Sequence, residues 1–298
     1  MHPGRQPEHR GPGPKQWNTI DNDHRRSFLI AAGYYCLDTS GSPVGPRELI
    51  FWGEWEPPAD VRGVGPHPTN VLFSPRFPIF PGRSGLHNTD PFVFDGEFLY
   101  CCCKQVRKNG TVTFLRNLDP GDVVLFGSHV SGTFVLDTVF VVGQRSCLYR
   151  PSLRSMELDK QVAHSFVEAT LKPLANQSPG QKGDGMQPAG SLDEADPEDN
   201  GYGCSACAPL GSVEYRLYWG VTPDKPLRGS FSFVPAAIAD KPIPWFDRLD
   251  IGEFEFIQKD MKSGFRDCHY PAAEGWTQVA KRTLEAGLVL GTQFQLRK

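Results

Sequence analysis

Three short stretches gather side chains able to do chemistry. "HNTDP", residues 87–91, is the densest polar cluster in the chain. An imidazole beside a carboxylate is a base with an orienting partner, so His87 and Asp90 could move a proton. The Asn88 amide both donates and accepts, as reading the edge of a nucleobase requires. A tight turn would use the same residue types. "FWGEWE", residues 51–56, sends Trp52, Glu54 and Glu56 to one face of an expected strand and Phe51, Gly53 and Trp55 to the other. A ring beside two carboxylates suits a site, with Glu54 as a third candidate acid or base. The competing account is an ordinary strand with Trp55 in the core and the glutamates in water.

"LYCCCKQ", residues 99–105, places three of the eight cysteines side by side. On a strand Cys101 and Cys103 face one side and Cys102 the other, so the three do not converge on a metal and are expected as small buried hydrophobes. Lys104 and Gln105 then end the return strand of a hairpin closed at Asp95-Gly96, near the open end that also holds Asn88 and Asp90. The expected ligand-binding set is therefore Trp52, Asn88, Asp90, Lys104 and Gln105. If the protein is an enzyme, the catalytic set is His87, Asp90 and Glu54. Cys204, Cys207, Cys268 and His269 offer zinc-type ligands, but the second pair is adjacent rather than spaced and lies far from the first. No metal or other cofactor is expected.

These residues must be carried by strands. The 31 Gly and 27 Pro make up about a fifth of the 298 residues, against a usual combined share of about 12%. Many turns and short strands are expected. Strand patterns fall at 27–36, 48–56, 110–115, 121–128, 132–142, 212–220, 229–236 and 252–259. Helical periodicity is confined to "DKQVAHSFVEATL" and "GWTQVAKRTLEAG", the latter stopping at Gly287, a good left-handed terminator. The expected fold is α+β and β-rich, a partly open barrel or twisted mixed sheet with two or three packing helices.

Charge and composition divide the chain. Residues 1–26, rich in Pro, Gly, His and Arg, carry five bases against three acids and are expected as a disordered basic tail. Residues 27–298 are expected as one domain, interrupted at 175–203 by a flexible insertion with six acids against one lysine. With the total at −3, the +2 tail and the −5 insertion leave a neutral body, which argues against a long phosphate-tracking groove. No leader-like or membrane-spanning apolar run is present, so a cytoplasmic, reducing setting is expected.

The stretch Leu118–Val142 resembles the core hairpin of the PUA-like superfamily, which includes ASCH, EVE and YTH domains. Gly121, Asp122, Val123, Val124, Leu125, Phe126 and Ser128 carry the likeness. More loosely, "FWGEWE", "HNTDPFVF", "CKQ" and "GDVVLFGS" resemble uncharacterised bacterial nucleotide-modification-associated domains. The resemblance implies a PUA-like barrel that stacks a nucleobase against aromatic faces, in base modification or phage defence, with nucleic acid or a nucleotide as partner. An enzyme acting on a base or nucleotide is the first alternative. A protein-interaction module recruiting partners through its charged tail and insertion is the second.

Overall fold

The run "RSFLIAAGYYC" forms strand β1 (Arg26–Cys36), because its aromatic and β-branched residues pack on both faces of a sheet. It pairs antiparallel with β2 (Val44–Glu54) in a register that sets Ile30 opposite Ile50 and Phe28 opposite Trp52. The computed structural model describes residues 26–57, 59–64, 71–77, 89–106, 111–130, 133–150, 158, 160–176, 214–240, 246–257 and 270–298. His87, Asn88, Cys204, Cys207, Cys268, His269, residues 1–25 of the expected tail and all but the first two residues of the expected insertion lie outside them.

β3 (Ala59–Gly63) and β4 (Val71–Pro75) pair antiparallel, and β4 joins β1 in parallel at Leu29 and Phe73. β9 (Val234–Ile238) and β10 (Val289–Gln295) complete a six-stranded sheet of order β10-β9-β2-β1-β4-β3, in which β10 also pairs with β1. That extra pairing curls one end of the sheet, while β4 and β3 extend the other, giving a twisted mixed sheet. A second sheet has the order β5-β8-β7-β6. Its strands are β5 (Leu99–Tyr100), β6 (Val123–Val130), the long β7 (Thr133–Tyr149) and β8 (Tyr215–Gly220). The β-rich α+β class expected from the sequence is what the chain adopts.

Among the described residues, two helical segments pack on these sheets. α1 (His164–Phe166), a π-helical turn (Val167–Leu171) and α2 (Lys172–Asn176) follow without a break. α3 (Ala272–Glu285) buries Trp276, Val279 and Ala280, and Gly287 turns its end with φ +73°. The Trp276 indole donates to the Phe231 carbonyl at 2.7 Å, tying α3 to the core it covers. No helix among the described residues is long and apolar enough to cross a membrane.

The Asp95-Gly96 hairpin forms as expected. Both residues have positive φ, 54° and 80°, and Phe92 and Leu99 exchange two backbone hydrogen bonds of 2.8 Å. Two expected strands do not form. Around 110–115 the chain instead makes a 3₁₀ turn (Phe114–Arg116), because Thr113 bonds back to Lys104 and Gln105 through its hydroxyl and its amide. At 252–257 the Phe254 N–H donates to the Ile251 carbonyl and the Ile257 N–H to the Phe254 carbonyl, turns that replace a ladder.

Gly220 marks where the second sheet meets the hairpin. A methyl group there would sit 2.6 Å from both Phe98 Cβ and Ser232 Oγ. Overpacking of this kind costs about 1–3 kcal/mol, so Gly220→Ala is expected to lose that amount in chemical denaturation with an unchanged m-value.

Candidate functional site

Asp90 sits in the connection that leads into the hairpin and is 2% exposed. Its carboxylate accepts the backbone N–H groups of Cys101 at 2.9 Å, Cys102 at 2.8 Å and Cys103 at 2.6 Å, and the Cys102 thiol donates to it at 3.4 Å. Amides of three successive residues cannot point to one acceptor on a strand, where they alternate in direction. β5 accordingly stops at Tyr100, and the chain curls round the carboxylate. The expectation that the cysteines alternate across a strand is corrected on this point: Cys101 and Cys102 bring their sulfurs to the same side as Asp90. The three thiols are buried, as expected.

Burial pushes the Asp90 carboxyl up to about 6, and the three amides and the Cys102 thiol only partly offset it. Asp90 therefore binds its proton more tightly folded than unfolded, where its pKa is about 3.9. Its contribution to stability is full below that unfolded value and is lost as pH rises through about 6, a fall of roughly 3 kcal/mol. The unfolding free energy of wild type minus that of Asp90→Asn should decline by this amount between pH 4 and 7. A difference that stays flat across this range would contradict it.

A chain of buried polar contacts runs from Asp90 to Trp52. The Asp90 amide donates to Glu54 Oε1 at 3.2 Å, and Glu54 Oε2 accepts from Arg26 Nε at 3.3 Å. Arg26 Nη1 and Arg248 Nη2 bind the two oxygens of Asp137. The Arg248 guanidinium lies 4.5 Å from the centroid of the Trp52 ring. Burial works against the Arg26 charge, but Asp137 and Glu54 outweigh it and hold its pKa above the ordinary value. Burial prevails at Arg248, whose pKa is lowered although Asp137 opposes the shift. From Glu54 to Arg248 the side-chain contacts alternate carboxylate and guanidinium, two of each. Arg26 also lines a water-sized cavity with Glu54, Pro91, Val93, Asp137 and Thr138, and its Nη2 has no hydrogen-bond partner among the described residues.

Arg26 is the first residue of β1 and fully buried, not the end of a tail. Its position next to an apolar run was the available signal. The glutamates of "FWGEWE" are not in water: Glu54 is 5% exposed and Glu56 0%, because Arg26 holds the first and the surrounding sheets enclose both. Asp137, the one charge inside the apolar run "FVLDTVFVV", and Arg248 were not singled out from sequence. A lone acid in a buried strand implies a buried cation, but its identity is a long-range property.

The structure brings Glu54 and Asp90 into direct contact and joins Trp52 to them through Arg248, Asp137 and Arg26. Gln105 is buried, and its amide pairs with the backbone N–H and C=O of Arg216, each at 2.7 Å, bracing the curl against β8. Lys104, between Cys103 and Gln105, takes a positive φ of 60° at the sharpest point of that curl. Trp52 is 4% exposed, with half-buried Phe28 edge-on at 5.0 Å and Phe246 edge-on to Phe28 at 5.3 Å. The Trp52 indole N–H is buried and has no partner among the described residues.

Among groups able to hold a metal, a carboxylate oxygen of Asp90 and the sulfurs of Cys101 and Cys102 lie within 4.8 Å of one another. Comparison with known proteins adds no relative: no family model, curated protein or solved structure matches the chain.

Proposed function

We propose that this protein binds a nucleobase or nucleotide, as a PUA-like domain working in nucleic-acid base modification or phage defence. The observation that carries the reading is the aromatic and cationic cluster at Trp52. An indole N–H lacking an acceptor among the described residues lies beside Arg248, and half-buried Phe28 and Phe246 lead from it toward the surface. Stacking on one aromatic is worth about 1–3 kcal/mol per base, and a base edge supplies the acceptor that the indole lacks. Arg248, fixed by Asp137, adds a cation beside the stack.

Titration of labelled single-stranded oligonucleotides, with modified and unmodified bases, at low salt tests the reading. Binding is expected, and Phe28→Ala should weaken it by about 1–3 kcal/mol, the loss of one stack. Absence of binding at low salt, where electrostatic losses are smallest, would overturn it.

One observation favours a second reading, an enzyme acting on a base or nucleotide through Asp90, Glu54 and His87. Asp90 has a carboxyl pushed up to about 6, near the range in which both proton states are available at neutral pH. The binding reading is preferred because the Asp90 oxygens already serve three backbone amides. An Asp90→Asn protein that stays folded and binds oligonucleotide, but loses a base-modifying activity seen in wild type, would reverse that preference.

A further inference from the structure

We propose that Asp90, Cys101 and Cys102 form a site for one thiophilic divalent cation of the zinc class. The three ligand atoms lie within 4.8 Å of one another and all three residues are buried. The separation between Cys102 Sγ and Asp90 Oδ2 is 3.4 Å. Zinc bonds of about 2.3 Å to sulfur and about 2.0–2.2 Å to oxygen, at a tetrahedral angle, place sulfur and oxygen about 3.5–3.7 Å apart. The Cys102 thiol proton now lies between those two atoms, where the cation would sit.

The surroundings suit a charged centre. Two thiolates and a carboxylate around a divalent cation leave one net negative charge, and the amides of Cys101, Cys102 and Cys103 already point at the carboxylate. Tyr100 and Tyr149 close the site from the side and spend their hydroxyl protons on the carbonyls of Cys103 and Cys101. The Gln105 clamp on Arg216 holds the far end of the curl in place. The ligands are thus positioned by the backbone before any cation arrives. Binding forms two metal–sulfur bonds and one metal–oxygen bond, breaks the two S–H bonds and releases two protons to solvent.

The test uses the full chain, kept reduced, with zinc or cadmium in competition with a chromophoric chelator. One equivalent is expected to bind at this site, with affinity rising about 100-fold per pH unit while both thiols start protonated. Cys101→Ala and Cys102→Ser should each weaken it by more than about 100-fold, beyond what loss of an outer-shell partner does. Cys36→Ala, at the end of β1, and the triple variant Cys204→Ser/Cys207→Ser/Cys268→Ser should leave that binding intact. In the unaltered chain, metal should protect Cys101 and Cys102 from alkylation, as mapped by mass spectrometry, so the outcome does not depend on the variants folding. Failure of the wild type to bind, loss of all binding in the triple variant, or alkylation of Cys101 and Cys102 at an unchanged rate with metal bound would each overturn the proposal.

Discussion

Asp137→Ala is expected to remove about 3–5 kcal/mol of stability, the usual result of breaking a buried ion pair by deleting one partner. Both oxygens of this carboxylate are occupied, one by Arg26 and the other by Arg248, and all three side chains are 5% exposed or less. Removing Asp137 leaves two buried guanidiniums without the carboxylate they share. The pair is worth far less than this loss, because two charges taken from water cost nearly what their attraction returns. Replacing Arg26, Glu54, Asp137 and Arg248 together by apolar residues of similar size should therefore cost less than Asp137→Ala alone. Chemical denaturation of the two variants measures the difference. If the single variant loses under 1 kcal/mol, the contacts are not buried as described.

Asp90→Ala carries the second large effect. Three backbone amides lose their common acceptor, at about 1–3 kcal/mol for each buried donor left unsatisfied. Relief of the buried charge offsets roughly 3 kcal/mol of this at neutral pH, so a net loss of about 3 kcal/mol is expected. The effect should be local as well as global. Amide hydrogen exchange at Cys101, Cys102 and Cys103 should accelerate more than exchange in β7 and β8, because these three amides donate directly to the carboxylate that is removed. Uniform acceleration across the second sheet would show that the carboxylate supports the sheet rather than the curl.

These two sites also mark what the sequence could and could not disclose. Alternation in "FWGEWE" correctly set Trp52 and Glu54 on one face, and both join the same chain of contacts in the structure. Asp95-Gly96 and Gly287 were legible because a positive φ is a local demand with a short list of residues that meet it. The burial of that Trp52–Glu54 face was not legible. Arg26 and Arg248 each lie 111 residues from the Asp137 they bind, and no period of 2 or 3.6 reports such a pairing. The same limit hid the curl at Cys101–Cys103: three small apolar residues after a hairpin read as a strand until a carboxylate 11 to 13 residues earlier collects their amides. The expected gathering of Asn88, Asp90, Lys104 and Gln105 at the open end of the hairpin assumes that strand. Asp90 accepts three backbone amides and the Cys102 thiol, Gln105 pairs with the backbone of Arg216, and Asn88 lies outside the described residues.

The measurement that bears most directly on nucleobase binding is photocrosslinking of an oligonucleotide carrying iodouracil, with the crosslinked peptides identified by mass spectrometry. Crosslinks at Phe28, Trp52 or Phe246, competed away by unlabelled oligonucleotide and lost with Phe28→Ala, are the predicted result. Saturable binding whose crosslinks fall entirely on other parts of the chain would contradict it.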